Sequence, residues 1–597
     1  MAEPKHSVAH QEAPAVSDVE SKNNHLEHVQ TSETAGGITG FEADADDLPP
    51  GYFKSRFFLG SMFAIGMGLW ATVAAFGYAA PILGQINADL GPDPRYVWIA
   101  NVYNCTLAVC IAPVGRLSDI FGRRYWWIGS ACLSVVGCIV CATAKSVTTL
   151  IGGSALLGIS SATQLSFHYV MGEIVPIRYR YLGSAAVYIF CIPGSGVAPS
   201  IAYAFVNSSV GWRGIYYLLT AVNVVALICW VLFYFPPSFD KKHRGDSRTK
   251  TYWIMHFDYV GTFLYAGGLI MFLMGLSWGG AVYPWKSAAT ISAIVVGGVV
   301  LAIFVLWEIY APLKEPLVPM HLFRNREWVV AVVLMGLGAG VYYAFAIVWP
   351  MQAAVLYDNG NSARLGGIAD VIGLAVIAGQ VTGGTLAARL KHNRFQVMGV
   401  MLLGGIFLAC TAVSTPYNFN TALAMITVGV FFVGWNETIC IANSTICVRD
   451  QKEIGIAGGL AGSIRSGICS VMVAIYTTTL TNRLTTTVAE EVPAALVSAG
   501  LPASSVPDFL AALTGGVAGA MSKVPGITDG IVAAGVAAYK VANADAYRTV
   551  YLSTLAFSGL AICLSWWAPD TDKYLSSKVA ATLHREDVSD EERMQRA

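Results

Sequence analysis

The sequence predicts an all-α polytopic membrane protein with about fourteen transmembrane helices. Three observations predict it. First, 55% of the residues are hydrophobic and 12% are charged, where a soluble chain carries about 25% charged residues. Second, the apolar residues fall in stretches of about twenty, the length that crosses a bilayer's hydrocarbon core. Third, the charges between these stretches are distributed unevenly and consistently from one side to the other.

The stretches lie near 57–83, 96–115, 125–144, 147–172, 183–206 and 215–236, then 258–279 and 288–308, then 328–357, 365–388, 396–415, 420–446, 454–482 and 549–569. The 60 glycines and 24 prolines suit such helices, because small residues permit close packing and proline breaks are tolerated in lipid. With a cytoplasmic N-terminus, the short inside loops carry roughly eighteen Lys and Arg and the short outside loops roughly five, which sets the orientation. Both termini then lie inside, which requires an even number of spans.

Domain organisation follows. Residues 1–50 are polar and aperiodic and are expected to form a disordered cytoplasmic tail. Residues 51–237 make a six-helix bundle, 238–310 a basic linker with two inserted helices, and 311–570 a second six-helix bundle. Residues 571–597 form a second cytoplasmic tail. An outside segment, about 483–547, is rich in Ala, Val, Gly, Pro and Ser and is expected to place short amphipathic helices at the outer surface.

Composition narrows the function. A formal net charge of zero gives no footprint for nucleic acid. Nothing reads G-x-x-x-x-G-K-[ST], so ATP drive is not expected, and no cofactor is implied. Nearly all of the 12 cysteines sit in apolar runs; Cys138 and Cys141, a C-x-x-C inside a helix, read as small packing residues rather than a metal or redox site. No nucleophile–base or metal-ligand cluster suggests an enzyme.

Between the second and third spans stands V-G-R-L-S-D-I-F-G-R-R-Y-W-W, residues 114–127. Charge at this depth is costly, so Gly115, Arg116, Asp119, Gly122, Arg123 and Arg124 need a reason. The pattern G-x-L-x-D-x-x-G-R-[RK] resembles the signature loop of the major facilitator superfamily. That resemblance implies two six-helix bundles, with two further helices here, that rock around a midplane site. It makes this loop a gate, in which Asp119 pairs with Arg or faces a helix N-terminus. Residues Gly384-Thr385-Leu386-Ala387-Ala388-Arg389 and Arg394 echo it at the inner end of span ten, with Ala388 in place of the acid.

Span five contains Pro193-Gly194-Ser195-Gly196-Val197-Ala198-Pro199. It resembles, degenerately, the G-x-x-x-G-P-x-x-G-G element of proton-coupled drug antiporters, and lets the helix bend and pack closely. Ionisable groups inside spans are functional candidates. Glu437, apolar on both sides in span twelve, ranks first as a site for a coupling proton, and Asp370 in span ten second. His168 and Gln164, a turn apart in span four, are candidates for the cavity wall. Arg465 in span thirteen pairs with an acid or an anionic substrate, or snorkels inward. Glu173 is assigned to the inner interface and Arg213 to an outer anchor. Asn207-Ser208-Ser209 on an outside loop is a glycosylation candidate.

Residues 258–308, with D-Y-V-G-T-F-L-Y-A-G-G-L and F-L-M-G-L-S-W-G-G-A-V-Y-P-W-K, resemble the fungal trichothecene efflux pump family of fourteen-span drug:proton antiporters. So do A-A-Y-K-V-A-N-A-D-A-Y-R-T-V-Y-L-S and A-P-D-T-D-K-Y-L near the C-terminus, and the resemblance extends over residues 45–585. It implies a multi-pass plasma-membrane protein, with vacuolar or vesicle membrane as alternatives. Its partners are the lipid bilayer, protons and a small-molecule toxin or xenobiotic for export. Similar fungal proteins import ferric siderophores by proton symport, and these motifs do not separate the two directions. A non-transporting receptor on the same scaffold is a third reading.

Overall fold

The computed structural model describes residues 38–41, 43–44, 48, 50–237, 249–280, 283–358, 360–514 and 523–583. The basic run that starts at Lys241 and most of the N-terminal tail lie outside the described residues. The described residues are mostly helical, as a hydrocarbon environment demands, since each backbone N–H and C=O must find a partner within its own segment.

Among the described residues, thirteen helices are long and apolar enough to cross a membrane. The first bundle contains α1 (Arg56–Gly77), α2 (Trp98–Phe121), α3 (Arg124–Ala142), α4 (Val147–Leu165), α5 (Phe167–Ile174), α6 (Arg180–Ile189), α7 (Ala198–Val206) and α8 (Arg213–Phe233). The inserted pair is α9 (Tyr259–Trp278) and α10 (Ala288–Tyr310). The second bundle contains α11 (Arg326–Leu356), α12 (Ser362–Leu390), α13 (Asn393–Cys410), α14 (Phe419–Ile446), α15 (Ile454–Ser498) and α17 (Asp529–Ser565), with the short α16 (Val506–Thr514) between the last two.

The missing fourteenth span is the fifth, expected as one stretch over 183–206. It is broken: α6 ends at Ile189, a π turn occupies Ile192–Gly196, and α7 starts at Ala198. Pro193 and Pro199 each lack an N–H, so neither can continue a regular ladder. Gly194 lets Trp70 of α1 approach, since a Cβ there would lie 2.6 Å from the indole Cδ1. Span four is also interrupted, between α4 and α5 at Ser166.

Two seams join the bundles. In one, α2 lies along α15; in the other, α12 lies along α6 and α7. Both are lined by glycine. A Cβ on Gly115 would stand 2.5 Å from the Gly455 carbonyl oxygen, and one on Gly384 would stand 2.5 Å from that of Tyr181. The sequence echo at 115 and 384 is thus a spatial echo. The inserted pair packs on itself and leans on the first seam. Tyr265 of α9 hydrogen-bonds Ser463 of α15 and donates to the Ala108 carbonyl of α2 at 3.3 Å.

Two terminal expectations need correction. The 483–547 segment does not lie flat as short helices. Instead α15 runs on to Ser498 and α17 begins at Asp529. These extensions enclose their own small core with α16, where Val492, Leu496, Phe509 and Ile531 are buried. Alanine-rich sequence has high helix propensity, so the spans continue beyond the apolar stretch. Nor are residues 38–41, 43–44 and 571–583 free tails. Strand β1 (Ala43–Asp44) pairs antiparallel with β2 (Lys578–Val579), and Thr39 exchanges backbone hydrogen bonds with Arg449 and Gln451. Both described ends therefore lie on one face, called here the terminal face.

The glycine seams make a packing prediction. A Cβ on Gly373 would stand 2.0 Å from the Ser195 carbonyl oxygen, whereas Gly367 on the same helix has open space. We expect Gly373→Ala to destabilise the protein by roughly 1–3 kcal/mol through overpacking. Gly367→Ala should leave the thermal unfolding midpoint in detergent unchanged; equal midpoints for the two variants would refute the seam geometry.

Candidate functional site

The site is a cavity of about 500 Å³ between the bundles, and both seams border it. Its lining runs from Phe76, Pro81 and Tyr203, near the face away from the termini, down to His168, Glu437 and Arg465 at mid-depth. Tyrosines supply much of the wall: Tyr103, Tyr188, Tyr342 and Tyr343. Such a surface offers apolar area with hydroxyl handles. Tyr342 also reaches across to Ser195 in the π turn, with the hydroxyls 2.8 Å apart.

At the floor, Glu437 of α14 is 3% exposed. Its carboxylate forms an ion pair with Arg465 of α15 and accepts from Gln380 Nε2 of α12 at 3.0 Å. The Arg465 guanidinium also lies 5.5 Å from the Tyr343 ring centroid, a cation–π distance. Two residues that the sequence singled out separately are therefore one unit. Each side chain supplies what the other needs in a medium where a lone charge is expensive.

The other cavity candidates separate. His168 lines the cavity, and its Nε2 lies 3.3 Å from the Gly458 carbonyl oxygen, so that nitrogen is the donor. Gln164 does not face the cavity. It turns into the first bundle and donates to Ser130 Oγ at 2.8 Å and the Trp127 carbonyl at 3.3 Å. The break at Ser166 is the reason: four residues apart no longer means one helical face. Asp370 is likewise absent from the cavity wall. It is buried and accepts from the Ser200 N–H of α7 at 3.1 Å. A carboxylate there meets the free amides and positive dipole end that the break in span five creates. Arg213 lies on the face away from the termini, pairing with Asp89 at 3.1 Å and stacking on Trp212. Asn207 is exposed on that face and donates to Ser362 Oγ at 3.1 Å.

The terminal-face end of the cavity is closed by the loop at 114–127. Asp119 accepts from the Ile456 N–H at the start of α15 at 2.6 Å and from Arg123 at 2.8 Å. Arg123 is 1% exposed, binds Glu173 at 2.5 Å and stacks on Tyr169 at 4.5 Å. Arg116 pairs at 2.7 Å with Glu315, beyond the inserted helices. Arg124 donates to the Val231 carbonyl and stacks on Phe235 at 3.8 Å. Gly122 takes φ 88°, a left-handed conformation that ends α2 and that other residues resist. Sequence reasoning missed Glu315, and it placed Glu173 at the interface without its partner. Nothing in the spacing links either residue to Arg116 or Arg123.

Two bundles of six spans, a midplane cavity and a charged loop at the second span define a transporter of the major facilitator superfamily. The solved structure of the human organic anion transporter MFSD10 (TETRAN) shares this fold, with a TM-score of 0.50 and 12% identity over 87% of this chain and 100% of that one. More specifically, the family described as "Fungal trichothecene efflux pump (TRI12)" matches residues 29–595, and the chain belongs to it. The trichothecene efflux pump TRI12 of Fusarium sporotrichioides is 28% identical over 545 residues, 90% of each chain. That of Trichoderma arundinaceum is 26% identical over 91% of each. The MFS-type transporter prx5 of Penicillium rubens is 30% identical, covering 86% of this chain and 90% of that protein.

The loop geometry yields a kinetic prediction. Asp119→Asn keeps an acceptor for the Ile456 N–H but removes the charge that meets Arg123 and the helix dipole. Turnover should fall at least about tenfold, a change of about 1.4 kcal/mol in the barrier, while equilibrium binding of cargo changes little. Loss of binding, seen by titration of the purified protein, would contradict a gating role.

Proposed function

We propose that the chain is a proton-coupled exporter of a bulky, partly apolar small molecule, working by alternating access from the plasma membrane. The terminal face is cytoplasmic and the cavity's far end faces outside. The Glu437–Arg465–Gln380 unit carries the reading. It puts a carboxylate at the floor of the transport cavity, where its charge is met by one guanidinium and one amide. When a proton from outside binds Glu437, the ion pair loses its charge attraction and Arg465 is released. Arg465 is then free to meet an oxygen of the cargo or the Tyr343 ring. Cargo entering from the cytoplasm or inner leaflet displaces the proton inward as the bundles rock.

Export is favoured by the relatives, two of which are named as trichothecene efflux pumps. The tyrosine-rich wall suits a multi-ring metabolite with oxygen substituents. Cavity charge is balanced by the Glu437–Arg465 pair, so an uncharged cargo leaves no charge unpaired.

Two experiments test this. In vesicles with an imposed pH gradient, Glu437→Gln should abolish proton-driven transport. It should also lower thermal stability by roughly 3–5 kcal/mol, because Arg465 is left buried and unpaired. The double variant Glu437→Gln/Arg465→Gln should regain most of that stability without regaining proton drive; proton-driven transport in the double variant would remove Glu437 as the coupling site. In cells, deletion should raise sensitivity to a toxic metabolite supplied or made by the cell. Failure to grow on a ferric siderophore as sole iron source, with unchanged toxin sensitivity, would instead establish uptake.

A further inference from the structure

The segment after the last span leaves α17 and crosses the terminal face, touching both bundles in turn. Against the second bundle, Asp572 accepts from the His392 N–H at 2.9 Å. Lys573 and Tyr574 both bind Glu327, at 2.8 and 2.7 Å. The His392 contact steadies a turn in which Lys391 and His392 both have positive φ, 55° and 49°, a conformation that costs free energy outside glycine. Against the first bundle, the Ser576 carbonyl accepts from the Arg178 N–H at 3.1 Å, and the Ala581 N–H donates to the Glu173 carbonyl at 2.9 Å. The Leu583 N–H donates to the Tyr52 hydroxyl at 2.8 Å.

Between the two sets lies a buried polar knot. Tyr181 of α6 donates to Asn443 of α14 at 2.5 Å, and its oxygen lies 2.6 Å from the Thr571 hydroxyl. Asn393 donates to the Tyr181 oxygen at 2.9 Å and to Thr571 at 2.6 Å. All four are buried. Only Tyr181 belongs to the first bundle.

We propose that Thr571–Leu583 is a latch that holds the terminal-face gate shut. It stays on the second bundle, from which it emerges, and must release Tyr181, Arg178, Glu173 and Tyr52 when the bundles part on that face. Three features point this way. The contacts bridge both bundles, they lie on the face where Asp119 and Arg123 close the cavity, and the Glu173 side chain that binds Arg123 belongs to the same residue whose carbonyl the latch holds. The latch rests on the alternating-access reading but not on cargo or direction.

The test measures distance rather than transport. Spin labels go on the purified, reconstituted full chain, with the exposed Cys132, Cys410 and Cys563 replaced by serine. One pair sits at Tyr125 and Phe395 on the terminal face, the other at Val210 and Tyr417 on the opposite face; all four residues are exposed. The variant Tyr52→Phe/Ala581→Pro removes one acceptor and one donor of the latch at the periphery. It should raise the ratio of long to short Tyr125–Phe395 distances at least fivefold, with the Val210–Tyr417 distances shortening in step. Oxidised Arg178→Cys/Ser576→Cys should lose the long population and regain it on reduction. An unchanged ratio in a variant with the parental unfolding midpoint overturns the latch alone, as does a cross-linked protein that still opens. A parent with a single distance under every pH and cargo condition overturns alternating access and the latch together.

Discussion

The contact of α2 with α15 is the constraint on which the closed structure depends. Two helix backbones meet at Gly115, Gly455 and Gly459, where a Cβ on Gly115 would stand 3.0 Å from the Gly459 Cα. In lipid, apolar side chains gain little by meeting each other, so close backbone packing and polar contacts must hold helices together. The seam uses both. Glycine gives the approach, and that approach carries the Asp119 carboxylate to the Ile456 amide. The carboxylate satisfies an amide that no helical carbonyl can reach and meets the positive end of the α15 dipole. Arg123 then pairs with both Asp119 and Glu173. Were the seam wider by one side chain, the Ile456 amide would lose the carboxylate, while Asp119 would keep Arg123 within its own bundle.

The second seam solves the same problem with different chemistry. Gly384 and Gly373 bring α12 against the first bundle, as Gly115 brings α2 against the second. Ala388 has no carboxylate to offer at the equivalent depth. The acid on α12 is Asp370 instead, at the other end of the helix, where it meets the start of α7. That amide is free only because the π turn at Ile192–Gly196 interrupts span five. On the terminal face the seam is held by the neutral Tyr181–Thr571–Asn393 knot. Each seam therefore has one carboxylate on one helix N-terminus, at opposite membrane faces. Both contacts are formed together in this structure.

Much of this was legible in the sequence because membrane helices obey few rules. Length and hydropathy locate spans, and the G-x-L-x-D-x-x-G-R-R pattern locates the charged loop. The repeat at 384–394 was legible as residues and proved to be a matching surface. What escaped were pairings between distant residues. Glu437 and Arg465 were each visible as charges in apolar sequence, yet their contact depends on how α14 packs against α15. Glu315 went unnoticed because its contact with Arg116 joins residues about two hundred positions apart. Gln164 was misplaced because periodicity assumes an unbroken helix, and Ser166 breaks it. The packed segment 571–583 was read as a tail because its burial comes from backbone hydrogen bonds and a few side chains, and hydropathy registers neither.

The positions of charge argue for how the cavity works. At the terminal face, Arg123 and Arg116 pair with acids on loops or near helix ends, namely Asp119, Glu173 and Glu315. At mid-depth Glu437 is buried at the cavity wall, and its charge is met by Arg465. In the mechanism proposed above, a proton or a cargo oxygen replaces one member of that pair. In that mechanism, opening at the face and exchange at the floor are separate steps: the first parts contacts between the bundles, and the second swaps the partners of one ion pair. A transporter that couples them needs something that spans the face and relays strain from one bundle to the other. The two places are joined through α15, since Arg465 and Ile456 lie nine residues apart on one unbroken helix whose glycines at 455 and 459 meet Gly115.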